Sequence, residues 1–217
     1  MKVLGVSGSP IKNSNTDRAV QAVLDATGLD SEFIKLSDYN FAPCRASLKC
    51  VKDNRCSIED DGILLAEKAK DADALVVGGF TPYSTLDART KAFMERLYPL
   101  RHQHGYMAGK PGGAVIASCI HDSTEALPPA GDMGINAIQF YMMEEGMEFL
   151  GAVRIDGNVP CIRCGRGNEC KMSGIKMIYG PDATVESVGG NRFEDQPAAV
   201  AASQELGENI SQALSKT

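Results

Sequence analysis

The strongest constraint in this chain is a set of short apolar runs that alternate with segments patterned as helices. The runs are "KVLGVSG" (2–8), "SEFIKL" (31–36), "ALVVGG" (74–79), "GGAVIASC" (112–119) and "MEFLGAVRI" (147–155). Most are apolar at successive positions, so they read as strands buried on both faces. Between them, 15–28 sets Ala19, Val20, Val23 and Leu24 at helical spacing. Segment 60–72 reads as a helix capped by Asp60 or Asp61, and 86–98 places Phe93 and Leu97 on one face. Segment 131–146 reads as a helix. A last helix is expected over 195–217, capped by Asp195 or Gln196 with Pro197 in its first turn. Met142, Met143 and Met147 read as core packing. Residues 157–192 hold Gly, Pro and Cys but little periodicity, and read as an insertion before that helix.

This alternation predicts a parallel sheet covered by helices on both faces, a three-layer α/β sandwich. Five strands suit the doubly wound order 2-1-3-4-5. Ligands of such sheets bind outside the carboxyl ends of the strands, where the order reverses, so the loops after strands one, three and four matter most. The 217 residues are expected to form a single domain, with a cysteine loop at 39–60 and the insertion at 157–192.

A net charge of −6 and the lack of Lys/Arg clusters argue against nucleic acid and anionic membrane as partners. No apolar run approaches the ~20 residues of a membrane span. "MKVLGVSGSP" reads as the first strand rather than a secretory signal, which makes the cytoplasm the expected compartment.

The loop after strand one, "SGSPIKNSNTDRA" (7–19), is dense in small hydroxyl and amide side chains and runs into a helix N-terminus. Free backbone amides and the helix dipole attract an anion there, and Lys12 adds a positive charge, so a terminal monophosphate suits the site. The Gly-Lys-Ser/Thr ending of a Walker loop is absent, as are the three spaced glycines of a dinucleotide fingerprint.

"SGSPIKNSNT" resembles the "GSPR-x-x-SNT" loop of the NADPH-dependent FMN reductase and flavodoxin-like families, with Ile11 where Arg is frequent. "GGFTPYSTLDARTKAFMERL" (78–97) is similar to the loop after strand three in those families. The resemblance covers about residues 1–157 and the last helix. It implies a flavodoxin-like fold and FMN. The phosphate would be held by Ser7, Ser9, Pro10, Lys12, Asn13, Ser14, Asn15 and Thr16. The ring would be held by Thr81, Pro82, Tyr83, Ser84, Thr85 and Leu86, which offer apolar contact and backbone donors. The loop from Ser118 and Cys119 to Asp122 would close the site, with His121 lining it. His102 and His104 read as surface residues of a polar loop.

Six of the seven cysteines form two local triads: Cys44, Cys50, Cys56 and Cys161, Cys164, Cys170. In a reducing compartment such clustering favours metal or redox chemistry over disulfides. The first triad resembles the C-x2-C-x2-C-x5-C loop of iron–sulfur flavoproteins, which holds a [4Fe–4S] cluster, with Ser47 as the second ligand and "SIEDD" following. The second is C-x2-C-x5-C, a spacing that suits a cluster or zinc, completed by Cys119, a first-triad thiol or a neighbouring subunit. The combined reading is an FMN oxidoreductase that moves electrons from NAD(P)H to a flavin, quinone or protein acceptor, as a homo-oligomer. The alternatives are an iron–sulfur electron carrier and a cysteine-based metal or redox sensor.

Overall fold

A computed structural model describes residues 1–120 and 127–216. Five parallel strands, β1 (Lys2–Ser7), β2 (Asp30–Lys35), β3 (Ala74–Phe80), β4 (Pro111–Ser118) and β5 (Glu148–Asp156), form one sheet in the order 2-1-3-4-5. This is the flavodoxin-like order, with the reversal at β1.

Strand alternation sends side chains to two apolar layers. Leu4, Val6, Leu75, Val77, Ala114 and Ile116 point to one face. There they pack with α2 (Asp61–Asp71), α3 (Ala88–Arg96) and α4 (Ala130–Glu144) through Leu65, Phe93 and Ile138. Val3, Val76, Val115 and Val153 point to the other face, under α1 (Asn15–Thr27) and α8 (Pro197–Ser215), whose Val20, Val23, Leu206 and Ile210 are fully or nearly fully buried. Burial on both sides explains why the strands read as unbroken apolar runs.

The helix starts follow the cap chemistry. Asp60, not Asp61, caps α2 and accepts from the Gly62 amide. Gln196 rather than Asp195 precedes α8, without a side-chain cap bond, and Pro197 opens it. Segment 157–192 departs from the aperiodic reading. It contains α5 (Pro160–Cys164), α6 (Gly174–Tyr179) and α7 (Val185–Val188). Each is under two turns, too short to show a helical period. Ser173 and Thr184 cap the last two, and Gly165, Gly180 and Gly189 end all three. Met142 and Met147 are buried in the core, but Met143 is 61% exposed, because it lies on the outer side of α4.

Candidate functional site

The carboxyl ends of β1, β3 and β4 lie side by side, with Ser7 opposite Gly78 and Phe80 opposite Ala117. The loops that leave them therefore meet at one end of the sheet. Loop one is built from beneath by two charged groups. Lys35, at the end of β2, donates to the carbonyls of Ser9 and Ile11, both at 2.8 Å, and to the Asp17 carboxylate at 2.7 and 2.9 Å. Asp17 also accepts from the Ser7 hydroxyl at 2.6 Å. Ser14 caps α1 through a capping box, exchanging bonds of 3.1 Å with Asp17.

This arrangement sorts the loop-one candidates. Ser7 is fully buried and its hydroxyl is engaged by Asp17. Ser9 is buried, and its hydroxyl accepts from the Ile11 amide at 3.3 Å. Pro10, Lys12 and Asn13 are exposed on the loop crest, with Asn13 in a left-handed conformation at φ 52°. Asn15 turns toward the insertion, where it donates to the Asn191 carbonyl at 2.9 Å and accepts from the Phe193 amide at 3.2 Å. Thr16 is buried. The Asn15 and Thr16 amides, first in α1, have no partner within the helix, while the Asp17 amide donates to the Ser14 hydroxyl.

Loop three is stitched to loop one. The Gly8 amide donates to the Gly78 carbonyl at 2.9 Å. A Cβ at Gly8 would overlap the Thr90 hydroxyl oxygen, so only glycine fits. Thr90 is fixed in turn by Asp87, which accepts from its amide at 2.9 Å and its hydroxyl at 2.7 Å and so starts α3. Between β3 and α3, Thr81 is buried, and its hydroxyl is without a hydrogen-bond partner among the described residues. Tyr83 and Ser84 follow with φ of 52° and 62°. Two consecutive left-handed non-glycine residues are uncommon and cost free energy, which points to a functional constraint on this turn. The Tyr83 ring is fully exposed. Pro82, Ser84 and Leu86 are half-buried and Thr85 is exposed.

At β4, the Ser118 hydroxyl is within 3.2 Å of both the amide and the carbonyl of Ile120. Cys119 is half-buried, and burial pushes its thiol pKa up. His121 and Asp122 lie outside the described residues. Of two open clefts, one borders loop one and the other borders the insertion, and neither is lined by residues 81–86. One, of about 570 Å³, includes Lys12, Asn13, Lys35 and Tyr39. The other, of about 580 Å³, lies between Asp156 and Tyr179 and Asp182 of the insertion.

Cys44, Cys50 and Cys56 are half-buried on loop 39–60, with Ser47 exposed. Cys161 and Cys164 share α5, and Cys164 and Cys170 are exposed. Among the described residues, no group of three or more His, Cys, Asp or Glu converges in a geometry that could hold a metal ion. All seven cysteines are free thiols. His102 and His104 are ring neighbours of Tyr98 and Tyr106, at 4.8 and 5.0 Å between centroids. Among the described residues, no helix is long and apolar enough to cross a membrane.

Sequence reasoning missed Lys35, Asp17, Asp87 and Arg96. Arg96 alone had a signal. It falls between Phe93 and Leu97 on the apolar face of α3, where a charge needs a buried partner.

Residues 1–138 match the family model described as NADPH-dependent FMN reductase. An iron-sulfur flavoprotein of Methanocaldococcus jannaschii is 37% identical over 119 residues, which are 53% of this chain and 61% of that protein. The chain thus matches less than two thirds of the length of that curated relative. Among solved structures, a flavone reductase superposes with a TM-score of 0.62 at 15% identity, covering 99% of this chain and 63% of that one. A flavodoxin from the domain Archaea gives 0.54 at 15% identity and covers 99% of each chain.

Proposed function

The chain belongs to the NADPH-dependent FMN reductase family, and we propose that it binds FMN and passes electrons from NAD(P)H to an acceptor. The observation that carries this reading is the Thr81 hydroxyl. It is buried and without a partner among the described residues, and it opens the turn in which Tyr83 and Ser84 are left-handed. A buried hydroxyl left unpaired costs about 1–3 kcal/mol, a cost that a ligand atom would remove.

The residues present fit a flavin mononucleotide. A monophosphate suits the free amides at the start of α1, with Lys12 as the nearby exposed cation. Because Ile11 stands where related loops carry Arg, the helix amides and Lys12 supply the positive potential. The ring suits the turn 81–86, where Leu86 offers apolar contact and Thr81 a polar one. When bound, FMN supplies the hydride and electron chemistry, and no side chain of this chain is assigned as an acid or base. The protein's part is to hold and orient. Lys35 and Asp17 fix loop one, Asp87 and Thr90 fix the start of α3, and Gly8 lets the two loops touch.

The acceptor is a small molecule or a protein. The seven free thiols suit a reducing cytoplasm. The chain acts as one domain, in a homo-oligomer. A second reading, an electron carrier between proteins, is favoured by the iron-sulfur flavoprotein relative.

The test is anaerobic. The FMN-loaded chain is mixed with NADPH, then separately with reduced ferredoxin, and flavin absorbance is followed. Bleaching by NADPH supports the reductase. Bleaching by ferredoxin alone supports the carrier and overturns the reductase.

A further inference from the structure

Loop 39–60 has the spacing of a four-ligand cluster site with one ligand changed. Cys44, Cys50 and Cys56 stand at three positions and Ser47 at the other. A serine oxygen is a harder donor than a thiolate and gives up its proton far less readily. Three thiols and Ser47 do not match the four-thiolate set that such clusters use. Ser47 is also exposed, while the three cysteines are half-buried.

A long loop whose described residues form only one short 3-10 turn, Lys49–Val51, needs some other source of order. Arg96, in the last turn of α3, provides it. Its side chain is fully buried. One terminal nitrogen donates to the Ala42 carbonyl and to Asp60, both at 2.8 Å. The other donates to Asp60 at 2.7 Å and to the Ile58 carbonyl at 3.3 Å. Ala42 and Ile58 stand near the two ends of the loop, so a single side chain closes it. A Cβ at Gly62 would run into the guanidinium, so the start of α2 is shaped around it too. The middle of the loop is held separately. The Asn54 amide donates to the Pro99 carbonyl at 2.8 Å and to the His102 carbonyl, and Gln103 donates to the Val51 carbonyl at 2.7 Å.

We propose that loop 39–60 is a metal-free scaffold organised on the buried guanidinium of Arg96, and that Ser47 takes it out of cluster binding. Its order comes from hydrogen bonds that need no cofactor. Electrons then leave the flavin without passing through a cluster in this loop. The electron route rests on the FMN reading, whereas the absence of a cluster does not, because iron and FMN content are measured separately.

The test uses the full chain carrying Cys161→Ser, Cys164→Ser and Cys170→Ser, which removes the other triad. This protein and its Ser47→Cys counterpart are incubated anaerobically with ferrous iron and sulfide, desalted, and assayed for iron, sulfide and FMN. The chain with Ser47 is expected to retain well under one iron. Ser47→Cys is expected to gain about four iron and four sulfide per chain, with absorbance near 400 nm. A full complement in the chain with Ser47, or none in Ser47→Cys, overturns the proposal. The unaltered chain gives a further readout. An iron chelator is expected to leave its thermal midpoint unchanged, and a clear fall with FMN still bound overturns the proposal.

Discussion

Asp60→Asn is the substitution whose cost can be worked most fully. The Asp60 carboxylate accepts both Arg96 terminal nitrogens, the Ala42 amide at 2.9 Å and the Gly62 amide at 2.9 Å. Arg96 beside it, and then these amides, hold its pKa at about 2 against an ordinary 3.8. With solvent screening allowed for, that depression corresponds to about 1–2 kcal/mol of stability. Its sign follows from proton binding: as pH falls, the unfolded Asp60 takes up a proton first. The contribution is therefore complete above about pH 5 and is lost as pH falls through 4 toward about 2. At pH 7 the loss is larger, because Arg96 keeps its buried charge without a carboxylate. Breaking such a pair costs about 3–5 kcal/mol. Urea unfolding followed by circular dichroism at pH 7, 4 and 2.5 measures both effects. Asp60→Asn is expected to be less stable by that amount at pH 7 and to decline less steeply in acid. Stability within about 1 kcal/mol of the parent at pH 7, with the same acid decline, would refute the reasoning.

Three further outcomes follow from the loops. Thr81→Val keeps the shape of the side chain but removes its hydroxyl. It should weaken FMN binding about 3- to 10-fold in fluorescence titration, with no loss in thermal midpoint, since the hydroxyl makes no bond within the described protein. Gly8→Ala drives a methyl group into Thr90 and should abolish FMN retention on gel filtration. Ser14→Ala removes the capping box of α1 and should lower stability by about 1 kcal/mol in urea unfolding.

The strands were legible because burial on both faces leaves a continuous apolar signal, and the order followed from the β–α alternation. Loop one was legible as a polar loop running into a helix N-terminus, but the bonds within it were not. The buried Ser7 hydroxyl, for example, donates to Asp17. That depends on Lys35, which arrives from β2 through a long-range contact that no local pattern records. The left-handed turn at Tyr83 and Ser84 was equally hidden, since neither residue type announces a positive φ. The short helices of 157–192 lie below the length at which periodicity can be read. The misplacement of Met143 was a matter of phase, because neighbours on a helix face different sides.

The central claim is that loop one and loop three together hold a flavin through its terminal phosphate. Equilibrium titration of the flavin-free protein with FMN and with riboflavin tests it most directly. The two ligands share the ring and differ in the phosphate. Charge-assisted hydrogen bonds from the amides at the start of α1 predict that FMN binds at least about 10- to 100-fold more tightly, and that the difference narrows with salt. Equal affinity for both would show that loop one does not hold the phosphate, and would contradict the account.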